Sequence, residues 1–160
     1  MTGEVWVGVT GIRVALVGGK VVQVQLLPLR AKPLKGGPKY KIPKGPSAPA
    51  LKNALKQAAE YLQGKRRRFN VPVDQKYATP FHEKVYKTLM TVPYGRVVSY
   101  GELARLAGAP GAARAVGTAM KRNQLCLYIP CHRVVAANGI GGYNGQIEWK
   151  RLLLDLEKRT

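Results

Sequence analysis

The sequence predicts a mixed α/β protein of the α+β kind, with a small antiparallel sheet unit carrying one helix and then a mainly helical half. Three observations carry that expectation. Short β-branched runs separated by Gly-containing turns crowd the first 27 residues. Apolar residues at helical spacing follow from about residue 51. Between Ser99 and Asn123, two short helical segments flank a Gly-containing turn.

In order, "EVWVGV", "IRVALV" and "VVQVQLL" read as a strand meander, broken by "TG" and "GGK". Residues 28–49 hold prolines, glycines and lysines in a pattern too broken for a helix and are expected to form a long basic loop. "ALKNALKQAAEYLQG" places Leu51, Leu55, Ala58, Ala59 and Leu62 at helical spacing, with Gly64 as the stop. "KRRRF" comes next, either a solvated charge run or a phosphate contact. The character changes near Ala78, which sets expected units of residues 1–75 and 76–160. Thr79-Pro80 starts a helix whose apolar positions are Phe81, Val85, Leu89 and Met90, and "PYG" ends it. Ser99 with Glu102 predicts a capping box on "SYGELARLAG". "GAPG" is a turn, and "AARAVGTAMKRN" is a second short helix closing near Asn123. The pair matches a helix-turn-helix. "NQLCLYIPCH" reads as buried and extended, "HRVV" as strand, "NGIGGYNG" as a Gly-rich turn and "IEWKRLLLDLEKR" as the last helix.

Composition bounds the partners. The 160 residues include 27 Lys and Arg against 8 acids, a net charge of +19. A solvated basic face accounts for part of this. So large an imbalance costs self-repulsion unless a polyanion is bound, and nucleic acid leads over an anionic membrane because no basic amphipathic helix with aromatic anchors appears. No run reaches the ~18 apolar residues of a membrane helix. The amino-terminal stretch lacks a signal peptide's layout, and a soluble intracellular protein is expected. Two cysteines five positions apart, Cys126 and Cys131, form no disulfide framework, and no Cys/His set has zinc spacing.

The second helix of the pair is built mostly from Ala, Gly, Thr and Val. Small side chains suit close approach to a narrow groove, or close packing in a core, better than major-groove readout. Arg114 in its first turn sits where the macrodipole does not favour a cation, and it has the length to wedge into a base stack. In "IPCHRVV", a thiol adjoins an imidazole in what reads as a buried turn, and Glu157 lies near the end of the chain. Cys131 is either a structural core thiol or, with imidazole and carboxylate, an activated nucleophile.

"IPCHRVV", "SYGELA", "ARAVGTAMKRN" and "GGYNG", in that order, resemble the motifs of the methylated-DNA–protein-cysteine methyltransferases, which repair 6-O-alkylguanine. The resemblance is specific over Thr79–Glu157 and architectural over residues 1–75, where it implies a ribonuclease-H-like sheet domain. It implies that Cys131 accepts the alkyl group, that His132 acts as its base through a water and that Glu157 holds the imidazole. Tyr100 would rotate the nucleotide out and help protonate the departing guanine, and Asn123 would tie the recognition helix to the active-site turn. Arg114 would be the finger filling the gap in the duplex, and Ser99, Tyr100, Ala113, Thr118 and Met120 complete the DNA-facing set. Val134, Tyr143, Asn144, Gly145 and Met120 would line the base pocket. The implied partner is double-stranded DNA containing alkylated guanine, bound through its minor groove by a monomer that reacts once. No cofactor, metal or membrane is implied, and the expected place is the cytoplasm, on DNA (the nucleus in a eukaryote).

Two rival readings differ in one observable. A Cys-His hydrolase regenerates its thiol, whereas repair leaves a permanent increment on Cys131. A non-enzymatic, lesion-sensing DNA-binding module takes no label at all. His82 is expected on a helix surface or packed, and Cys126 as structural filler.

Overall fold

The computed structural model describes every residue except Gly145. The chain divides into two compact units, Met1–Gln75 with Gln124–Cys126, and Lys76–Asn123 with Leu127–Thr160.

The first unit is a mixed α/β layer. Strands β1 (Thr2–Val7), β2 (Thr10–Val17), β3 (Lys20–Leu26) and β4 (Lys39–Lys41) form an antiparallel sheet in the order β3-β2-β1-β4. Gly8 and Gly18 adopt the left-handed conformation in the turns, at φ +58° and +56°. Alternation sends Val5, Ile12, Val14, Val21 and Val24 inward, all at most 2% exposed. Helix α1 (Ala48–Leu62) covers that face with Leu51, Leu55, Ala58 and Ala59. Gly3 admits this contact, since a Cβ there would stand 2.9 Å from Leu51 Cδ2.

Sequence reading missed three local features here. The basic segment 28–49 contains β4, and α1 already begins at Ala48, with Pro49 in its first turn. Tyr61 is buried at the helix end, while Leu62 is half-buried. The segment is also less free than its composition suggests. Backbone bonds from Arg30 N to Val9 O (2.9 Å) and Leu34 N to Gly8 O (3.1 Å) lay it along the β1–β2 turn.

The second unit is mainly helical. Helix α2 (Pro80–Leu89) starts as expected, with Thr79 Oγ1 accepting from His82 N at 3.1 Å and proline in the first turn. Its buried face is His82, Val85, Tyr86 and Leu89. Met90 is 50% exposed, so the expected stripe is rotated, and His82 is packed. Ser99 caps α3 (Tyr100–Leu106) through Glu102 N at 3.1 Å. The Glu102 carboxylate turns to Arg105 instead of closing the box, at 2.6 and 2.9 Å. Gly108 and Gly111, at φ +77° and +84°, carry the turn into α4 (Ala113–Lys121), and the helix pair is formed. Tyr86 Oη donates to Ala119 O at 2.6 Å, tying α2 to α4.

A two-stranded parallel sheet then joins β5 (Val98–Ser99) to β6 (Val134–Val135). Helix α5 (Ile147–Arg159) buries Trp149, Lys150, Leu153, Leu154 and Glu157 along one face. Among the described residues, no helix is long and apolar enough to cross a membrane.

Candidate active site

The site is built around a single turn of 3-10 helix, Cys131–Arg133, between Pro130 and β6. The approach is not extended throughout, contrary to the expectation for "NQLCLYIPCH". Leu127 takes φ +73°, a left-handed value that a branched side chain holds at a cost of about 1–3 kcal/mol. Ile129 O then accepts from Cys131 N at 2.8 Å and from Asn123 Nδ2 at 2.9 Å. Asn123, next but one after α4, thus holds the turn to the end of that helix.

Cys131 is 4% exposed. Its Sγ lies 3.8 Å from Tyr143 Oη, so the Gly-rich loop stands against the thiol. Gly141 lets that loop pass close to Tyr100, because a Cβ there would meet Tyr100 Cε2 and Ala136 N at 3.1 Å. Tyr100 Oη reaches Gly142 O at 3.5 Å. Burial, then the negative charge available at Cys131, raise the Tyr100 pKa, so its phenol keeps its proton at neutral pH.

His132 and Glu157 meet in the core. The ring is fully buried, and Nε2 lies 2.6 Å from Glu157 Oε1. Burial lowers the imidazole pKa against the opposing pull of Glu157. The ring is therefore neutral, and Nε2 carries the proton because its partner is a carboxylate. Nδ1 is then the basic nitrogen. The carboxylate's charge is met by Arg133, whose Nε and Nη2 donate to Glu157 at 2.9 Å. Gly95 N adds a fourth donor group at 2.8 Å. At φ +78°, with room for a Cβ only 3.1 Å from Glu157 O, position 95 is suited to glycine.

Two charged residues of this site escaped sequence reading. Arg133 also donates Nη1 to Val92 O at 2.8 Å and stands over the Tyr94 ring. Lys150 is 0% exposed, and its ammonium donates to Val134 O at 2.6 Å and Gly142 O at 3.0 Å, near the rings of Tyr100 and Tyr143. Burial pushes its pKa down to about 8, partly offset by the negative charge available at Cys131. The available signal was periodicity, since a lysine one residue after Trp149 and three before Leu153 falls on a helix's buried face.

The remaining expected positions divide by exposure. Arg114 and Thr118 share the open face of α4, with Ala113 half-buried beside them. Met120 is 7% exposed, turned inward with Val116 and Ala119, which removes it from any groove-facing set. Ser99 Oγ is engaged as the α3 cap. Val134 is buried, and it is the carbonyl that Lys150 binds. Asn144 is exposed at φ +35°, and Gly145 lies outside the described residues. Among the described residues, no three His, Cys, Asp or Glu side chains group as metal ligands.

Known proteins resemble this chain in sequence and fold. The model of the 6-O-methylguanine DNA methyltransferase DNA binding domain matches residues 80–159. A methylated-DNA–protein-cysteine methyltransferase of Mycobacterium bovis is 46% identical over 114 residues, covering 71% of this chain and 68% of the relative. The constitutive one of Bacillus subtilis is 45% identical over 112 residues, covering 69% and 67%. A crystal structure of Mycobacterium tuberculosis OGT in complex with DNA superposes with a TM-score of 0.77 at 35% identity, covering 94% of this chain and 88% of that one.

Proposed function

The chain belongs to the methylated-DNA–protein-cysteine methyltransferase family, and on that premise we propose that it removes the alkyl group from 6-O-alkylguanine in duplex DNA onto its own Cys131, once per molecule. The observation that carries this is a buried thiol under a loop tyrosine, next in sequence to an imidazole whose tautomer a buried carboxylate sets.

The steps follow from chemistry. A base inside the duplex cannot reach a sulfur that is 4% exposed, so the nucleotide is extruded at a cost of a few kcal/mol, less for a badly paired lesion. Arg114, on the open face of α4, fills the vacated space from the minor groove. Nδ1 of His132 takes the thiol proton through a bridging water, and the Lys150 ammonium favours the thiolate. The sulfur then attacks the alkyl carbon in line. An S–C bond forms as the C–O bond breaks, the electron pair leaves on the guanine oxygen, and a proton from Tyr100 neutralises the departing base. Tyr143 and Asn144 close over the base, and Val134 lines the pocket. The thioether has no second nucleophile to release it, so each monomer reacts once.

Incubation with duplex DNA radiolabelled on the guanine 6-O-methyl group, followed by peptide mapping, tests this reading. One equivalent of label on Cys131 is expected. A thiol that returns free after turnover indicates hydrolysis, and an unlabelled chain that still binds the lesion indicates a sensing module; either result overturns the proposal.

A further inference from the structure

The proposed alkyl transfer draws on the second unit and gives no task to the charge of the first. The first unit carries 14 Lys and Arg against 3 acids, a net of +11. Two of the acids are engaged. Arg13 Nε and Nη2 bind Glu4 at 2.9 and 2.6 Å and hold its carboxyl below the usual range, and Arg66 Nε binds Glu60 at 2.7 Å.

The sheet face opposite α1 gathers three of the remaining cations. Register sets Lys41 beside Glu4 and Lys39 beside Trp6, with Arg13 flanking Glu4 on the other side. Alternation places these side chains on one face. The Trp6 indole lies on Gly11, where a Cβ would stand 2.6 Å from the ring, and the Arg30 guanidinium stands over it, 5.3 Å from a ring centroid. Arg30 is held there because its segment is bonded along the β1–β2 turn. Among the described residues, Arg30, Lys39 and Lys41 form no ion pair, and all three are exposed. With sheet beneath the indole and a guanidinium above, the ring has no face left for a base. What the surface offers is charge.

We propose that this sheet face, centred on Arg30, Lys39 and Lys41, is a second contact for the phosphate backbone of duplex DNA. The inference rests on DNA being the substrate, and it gives the basic segment 28–49 a task. Backbone neutralisation releases counterions and needs no base readout, so the contact raises affinity without changing which lesion is repaired.

The test uses the full chain with R30Q, K39Q and K41Q combined, titrated against undamaged duplex over a salt series. The slope of log K against log salt should become shallower by about 2–3, at about 0.9 per phosphate contact, with Kd weakened by roughly tenfold or more near 0.1 M salt. Transfer to Cys131 from free 6-O-alkylguanine base should be unchanged. An unaltered slope overturns the proposal. So does an equal loss in the control K20Q/K52Q/K65Q, which removes the same charge elsewhere in the unit. A greater loss on single strands than on duplex overturns the duplex assignment. If the triple variant flattens the slope yet wild type never takes label, the repair reading fails while this surface stands.

Discussion

The two units hold their charge in opposite ways. In the first, cations stand on the outside, at sheet edge, loop and helix surface, with few acids to meet them. The second has a smaller excess, 13 Lys and Arg against 5 acids, but buries His132, Arg133, Lys150 and Glu157, none more than 7% exposed. Exposed charge makes a field that salt screens over about 8–10 Å. Buried charge acts on one neighbouring atom and is hardly screened. On the proposed function, the outer cations serve affinity and the inner ones chemistry, and each set can be removed separately.

The largest effect should come from Glu157→Ala, which strands Arg133 in the core without its carboxylate. Breaking a buried pair from one side costs about 3–5 kcal/mol, readable as a lower urea midpoint. Glu157→Gln should fold better yet still transfer alkyl groups slowly, since the amide no longer fixes the imidazole tautomer. Next is Lys150→Met. Its rate with free alkylguanine base should fall by roughly 10–100-fold, and the pH midpoint for iodoacetamide labelling of Cys131 should rise by about one unit. Its salt slope on DNA should match wild type. An unmoved midpoint would show that the ammonium only bolts the loop to β6.

Arg114→Ala tests the other side of the contrast. Transfer from duplex DNA should fall by about tenfold or more, and transfer from free base by less than about twofold, because only the duplex has a stack to hold open. Equal losses would remove the finger role. The smallest effect is on stability against pH. His132 has a folded pKa below its ordinary 6.5. The unfolded chain therefore takes up a proton that the folded one refuses as pH falls past about 6.5. Its stabilising contribution is complete above that value and declines below it, by at most about 1.4 kcal/mol per pH unit. Urea unfolding at pH 7.5 and 5.5, compared with His132→Gln, isolates this share; identical pH slopes would show that folding leaves the ring's pKa unshifted, and a wild type that gains stability at pH 5.5 relative to the variant would show a ring charged in the native state.

Legibility in the sequence followed locality. Thr79-Pro80 and Ser99 act within one helical turn, and both caps were readable. The meander was readable because its turns and alternation are local too. β4 was hidden because three residues inside a proline-rich segment pair with β1 only by a long-range register. Met90 misled because, next after Leu89, it extends the apolar stripe yet lies at the helix end, where the buried face has turned away. Arg133 and Lys150 were passed over for a different reason. A cation in a sequence is taken as solvated unless a partner is visible, and their partners are carbonyls and a carboxylate 24 residues away.

Helix α5 carries Lys150 and Glu157 seven residues apart, two turns along the same buried face. One helix thus carries both the cation that feels the charge at Cys131 and the anchor of the imidazole. On the proposed function, any slip or rotation of that helical rod would retune nucleophile and base together. Substitutions at Trp149 or Leu153, which touch neither group's chemistry, should therefore behave as coupled adjustments of both, and combinatorial variation of the rod's packing is the economical route to altered reactivity.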